Sequence, residues 1–154
     1  MRRVAVLLLA ALLLSGCAVL TKQQLKPVPE TLSHGRLVYL GDRACRRFER
    51  RVDRRRPGKG YEAALANLQH VLMPAYDKLL FELRGLAPPP PDAVAYRRML
   101  ATFNDADLVL HNFFQAADEV QIKRVKTLQA RLDRLGRRLN ARVAKVGLRT
   151  CAKG

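Results

Sequence analysis

Few side chains in this sequence are placed to do covalent or redox chemistry. The cysteines are Cys17, Cys45 and Cys151, and the histidines are His34, His70 and His111. No cysteine sits in a Cys/His cluster with the spacing of a zinc site. Neither a His-Glu-x-x-His helix nor a Cys-x-x-Cys-His haem attachment is present. His70 with Met73, or His111, would offer haem ligands only by analogy with other helical proteins. Asp107 and His111 are four positions apart, so they share a helix face. They read as an acid–base couple or, more simply, as a structural hydrogen-bonded pair. A di-iron centre built in a bundle needs inward glutamates and two Glu-x-x-His motifs, and the chain has no such motif. A nucleophile elbow, a phosphate-cradling Gly loop and a dinucleotide fingerprint are also missing. The chain therefore reads as a non-enzyme with no cofactor and no bound metal.

The remaining chemistry is charge. The 154 residues hold 29 Lys+Arg against 13 Asp+Glu, a net charge of +16. The excess is uneven: residues 33–59 carry +7, residues 60–119 carry −4, and residues 120–154 carry +10. Arg43, Arg46, Arg47, Arg50 and Arg54 in the first basic block, and Lys123, Arg131, Arg134, Arg138, Arg142 and Lys145 in the last, are the candidate lining of one broad basic face. Arginine outnumbers lysine, 21 to 8, and its planar fork suits phosphate oxygens. An anionic lipid or a cell-wall polymer would fit such a face. The plainer reading is a solvated coat of arginines on exposed helix positions. Nucleic acid shares the charge complementarity, but few aromatic residues interleave with the cations, which disfavours it.

These residues must be held by elements, and the pattern is helical throughout. A first helix is expected from between Arg36 and Asp42 to about Arg55, with the stripe Leu37, Leu40, Ala44, Phe48, Val52. Gly41 obscures its start and offers Asp42 as the N-cap. Pro57, Gly58 and Gly60 end it. A second segment, about Tyr61 to Leu86, carries Leu65, Leu68, Leu72, Tyr76, Leu79 and Leu83, with Pro74 expected to kink or split it. The run Pro88 to Pro91 is a firm break. A third helix starts near Asp92 and carries Tyr96, Leu100, Phe103, Asp107, Leu110, Phe114 and Ala117. A fourth carries Ile122, Val125, Leu128, Leu132, Leu135, Leu139, Val143 and Val146, and Gly147-Leu148 has the form of a Schellman ending. The span 92–135 has no Gly or Pro, so the third and fourth segments would run on as one helix unless a turn falls near 116–121, where it is expected. With 49% hydrophobic residues, this is enough apolar surface for one folded domain.

The N-terminus stands apart. Arg2 and Arg3 precede eleven uncharged apolar residues, Val4 to Leu14. That run is too short to span a bilayer, which takes about 20 residues, and has the length of a signal-peptide core. Leu14-Ser15-Gly16-Cys17 follows, and it resembles the lipobox of bacterial lipoproteins at every position. The resemblance implies that residues 1–16 are removed and that Cys17 is acylated to become the first residue of the mature chain. It implies an extracytoplasmic protein held to a bacterial membrane by lipid. Ala18, in place of an Asp, leaves outer-membrane sorting open in a diderm cell. Residues 17–32 then form a tether of at most about 50 Å, at ~3.3 Å per residue, and 33–154 the folded body.

Outside the cytoplasm the remaining thiols, Cys45 and Cys151, are expected to pair. Two free buried thiols and intermolecular pairing are the alternatives. If bridged, they bring the first helix to the end of the last. That favours an even number of antiparallel helices, an up-down four-helix bundle, over three. The mature part also resembles a loose group of small exported helical proteins of high-GC bacteria. The matching features are Cys45, then Leu83-Arg84-Gly85-Leu86-Ala87-Pro88-Pro89, and the closing Gly147-Leu148-Arg149-Thr150-Cys151. That resemblance implies a disulfide-closed helical bundle and brings no activity or ligand. The sequence thus leads to an envelope lipoprotein that binds or adapts through a basic face. The rival is a protein–protein module of an envelope complex whose basic surface is only solvated coat.

Overall fold

The computed structural model describes residues 30–54 and 58–152. The signal segment, the lipobox, Cys17 and most of the tether lie outside the described residues. The chain is helical: α1 (His34–Asp53), α2 (Tyr61–Asn67), a π-turn (Leu68–Leu72), α3 (Met73–Arg84), α4 (Ala93–Asp118) and α5 (Ile122–Val146). Asn67, Leu72 and Met73 all keep right-handed helical dihedrals, so α2, the π-turn and α3 run on as one of four helical rods. No helix among the described residues is long and apolar enough to cross a membrane.

Two expectations about helix ends change. The first helix starts at His34, capped by Ser33, whose hydroxyl accepts from the Arg36 N–H at 3.3 Å. Asp42 is not a cap. It lies a helical turn and more inside α1, and its carboxylate accepts the Thr150 N–H at 2.8 Å. Gly41 is buried mid-helix against Leu148, and a Cβ there would lie 2.6 Å from Leu148 Cδ2, so a larger residue requires that side chain to shift. Pro74, in turn, does not break the second rod. Proline cannot donate to the turn before it, and the helix absorbs this by widening: the Met73 N–H reaches the Leu68 carbonyl, five residues back.

The other boundaries fall where the pattern puts them. Asp92 precedes α4, and the α4–α5 turn occupies 119–121. Val120 takes φ 56° in that turn, a left-handed conformation costly for a β-branched residue. Gly147 ends α5 at φ 87°. Its N–H reaches the Ala144 carbonyl and the Leu148 N–H the Val143 carbonyl, the two bonds of a Schellman motif.

The helices enclose two cores. The larger joins Leu37, Ala44 and Cys45 of α1, Leu79, Leu80 and Leu83 of α3, Tyr96, Met99 and Phe103 of α4, Val143 and Val146 of α5, and Leu148. Cys45 and Cys151 are joined across it, their Cα atoms 5.3 Å apart and their positions separated by 106 residues. The two tyrosine hydroxyls at this core are matched to carbonyls: that of Tyr96 donates to Leu83 O at 2.8 Å and that of Tyr76 to Phe103 O at 3.1 Å. The smaller core lies in the far half of the α4–α5 hairpin, where Val109, Ala116, Leu128 and Leu135 are buried with Ala106, Phe113, Val125 and Leu132 packed on them. α2 joins it through the Tyr61 hydroxyl, which donates to the Ala117 carbonyl.

Candidate functional site

The cations are displayed by helices whose buried stripes leave them no other direction. In α1 the sequence Arg43-x-x-Arg46-Arg47 alternates with buried Ala44 and Cys45, so Arg43, Arg46 and Arg50 point outward, and Arg54 caps the helix end. In α5 the buried Leu128, Leu135, Val143 and Val146 leave Lys123, Arg131, Arg134, Arg138 and Lys145 exposed.

Two members of the set are committed inside the fold. Arg47 is forked onto Glu82 of α3, with Nε at 3.0 Å and Nη2 at 2.6 Å from one carboxylate oxygen. Arg142 donates to the Arg98 carbonyl at 2.7 Å and to the Thr102 hydroxyl, satisfying a fully buried side chain of α4. Arg46 touches Thr150 Oγ1 at 3.4 Å. Among the described residues Arg47–Glu82 is the one Lys/Arg–carboxylate ion pair. The other cations of the set face solvent without an acidic partner.

The cations gather in three open clefts. Arg131, Arg134 and Arg138 line one with Leu135 and, from α4, Asp105. Arg142 and Lys145 line a second with Arg98, Pro91, Val94 and Ala95. Arg54 belongs to a third, of about 540 Å³, between the end of α1 and the π-turn, where Arg51, His70 and Lys78 join it. The sequence reading did not join His70 and Lys78 to Arg54 because they lie on the second rod, and it passed over Arg51, which shares a helix face with Arg54. A fourth cleft, about 240 Å³, is apolar and runs beside the disulfide over Phe48, Tyr76, Leu79, Phe103 and Leu139.

The titratable pair read from the sequence is also assembled. His111 Nδ1 donates to the Asp107 carbonyl at 3.0 Å and lies 3.5 Å from its Oδ1, an ion-pair distance too long for a hydrogen bond. Asp77 of α3 completes a group of two carboxylates and an imidazole whose ligating atoms lie within 4.8 Å of one another. Asp107 Oδ1 is buried with no hydrogen-bond partner. Burial pushes the Tyr76 phenol well above its ordinary range, and the Asp107 charge adds to the shift. Tyr96 is raised by burial alone. Neither phenol is a proton donor near neutral pH, so both act as hydrogen-bonding struts. His34 bonds to Asp92 Oδ2 at 2.8 Å, tying the start of α1 to the start of α4.

No family model matches the chain, no curated protein matches its sequence, and no solved structure matches its fold. The site is therefore read from its own chemistry: cations on helical scaffolds, with apolar walls and a single carboxylate among the three basic clefts.

Proposed function

We propose that the chain is a lipid-anchored module of a bacterial envelope, a non-catalytic binder whose basic surface meets anionic envelope components. In this reading Cys17 carries the lipid, and the body is an antiparallel up-down four-helix bundle. One observation carries the proposal: the exposed arginines and lysines of α1 and α5 lack carboxylate partners among the described residues. Cations left unpaired along two helices repel one another, and an anionic surface relieves that repulsion. The disulfide fits an oxidising compartment, and acyl chains at about 0.8 kcal/mol per buried methylene would keep the body at the bilayer.

The test is co-sedimentation of residues 18–154 with phosphatidylglycerol and with phosphatidylcholine vesicles. The expected outcome is binding to the first alone, weakening steeply with salt. Equal, salt-insensitive binding to both would overturn the basic-surface reading. Recovery of one stoichiometric protein partner, indifferent to charge reversal on α5, would favour the protein–protein module instead. The anchor is tested separately by metabolic labelling with palmitate, which should be lost in Cys17→Ser.

A further inference from the structure

The cleft between the end of α1 and the π-turn combines three features that neither of the other basic clefts has together. It gathers four basic side chains from two rods, Arg51 and Arg54 from the last turn of α1, and His70 and Lys78 from the second rod. Arg51 and Arg54 are three positions apart and so share a face. No carboxylate lines it, whereas Asp105 lines the Arg131–Arg134–Arg138 cleft. Its cations are also uncommitted. The side chains of Arg51, Arg54 and His70 make no hydrogen bond or ion pair with a described residue, and that of Lys78 only overlies the Phe81 ring at 5.3 Å. In the second cleft, by contrast, Arg142 is held by Arg98 and Thr102. The floor of the cleft is apolar and shaped by the irregular backbone: Val71, Pro74 and Ala75 line it where the π-turn meets α3.

We propose that this cleft binds a phosphate ester. Two guanidinium forks, an ammonium and an imidazole can surround a tetrahedral group with several charged oxygens. A planar carboxylate has two oxygens and leaves part of this donor set unused. Val71 and Pro74 are placed to take the organic part of the ester. The site goes beyond the broad basic surface, since of its four basic groups only Arg54 belongs to that surface's expected set.

The experiment titrates the full chain, held in neutral detergent micelles, with two probes. One is glycerol 3-phosphate in water. The other is phosphatidylglycerol doped into the micelle, with phosphatidylcholine as its control. Saturable one-to-one binding of either phosphate probe, weakened about tenfold or more in Arg51→Ala and in Lys78→Ala, supports the site. These side chains are exposed, so both variants should keep the wild-type far-UV spectrum and melting temperature. Binding of glycerol 3-phosphate assigns a free phosphate ester, and binding of phosphatidylglycerol alone assigns a lipid headgroup. Arg131→Ala/Arg134→Ala should leave glycerol 3-phosphate binding unchanged while weakening vesicle sedimentation, which separates the cleft from the broad surface. Binding to neither probe overturns the proposal. So does binding that succinate displaces as well as phosphate, or binding that survives both cleft substitutions.

Discussion

The two cores of the molecule are held together by different means. The disulfide-end core joins α1, α3, α4, the end of α5 and the closing segment, so its contacts bridge residues far apart in sequence. Its closure is covalent, through Cys45 and Cys151, and reinforced by Asp42 accepting from Thr150. The hairpin-end core joins neighbours across one short turn, with four buried side chains, two of them partly accessible, and α2 leaning on one side. A core of distant contacts must overcome a larger chain-closure entropy before any contact stabilises it. A hairpin core avoids that cost but buries less apolar area. The difference teaches where stability and openness reside: the disulfide end is the anchor of the fold, and the hairpin end is expected to open first.

The largest effect that could break this comparison is removal of the bridge. Cys45→Ala/Cys151→Ala should lose about 4–5 kcal/mol on the chain-entropy account of a loop this long. Denaturant unfolding measures it, and amide exchange should show the loss in α1 and α3 with the α4–α5 hairpin least affected. A uniform loss of protection would mean the two ends unfold as one unit. Next come paired truncations. Leu83→Ala, at a fully buried position, should cost about 3–5 kcal/mol, and Leu128→Ala, at the thinner and more exposed core, about 2 kcal/mol. Equal costs would erase the distinction.

Two of the glycines inside helices sharpen it further. Gly41→Val should cost about 1–3 kcal/mol because its side chain overlaps Leu148. Gly136→Ala meets nothing within 4 Å and should stabilise by roughly 0.5–1 kcal/mol through lower unfolded-state entropy and better helix propensity. Thermal melting of both variants checks the opposite signs. The smallest effect is on alkaline stability. Tyr76 and Tyr96 stay protonated in the fold above their ordinary value of 10.0, while the unfolded chain releases those protons. Their contribution is therefore intact below about pH 10 and lost as pH rises past it. Tyr76→Phe should flatten the fall in denaturant midpoint between about pH 9 and pH 11; an unchanged slope would place the ionisation elsewhere.

Much of this architecture was legible in the residues. Leucine and aromatic spacing marked the helices, Asp92 and the proline run marked the start of α4, and Gly147-Leu148 announced the Schellman ending of α5. The Cys45–Cys151 pairing was expected from two thiols left over in a chain read as exported, and the structure joins them. The misreadings share one cause. Gly41 looked like a helix boundary and Asp42 like a cap because both residues are common at helix starts, yet each answers to the closing segment more than a hundred positions away. Pro74 marked an irregularity, expected as a kink or split because its missing N–H is a local fact, but that the irregularity is a π-turn within a continuous rod is a property of the whole rod.

The sequence by itself determined what depends on a few neighbouring residues: helix periodicity, caps, breaks and the uneven distribution of charge. The tertiary structure alone decided which side chains meet across helices. It tied Arg47 to Glu82 and Arg142 to Thr102, added Asp77 to Asp107 and His111, and drew Arg51, Arg54, His70 and Lys78 around one cleft. Local pattern fixes which face of a helix is buried, but its rotation and register against another helix are set by packing between distant segments, and only those decide which charges share a site.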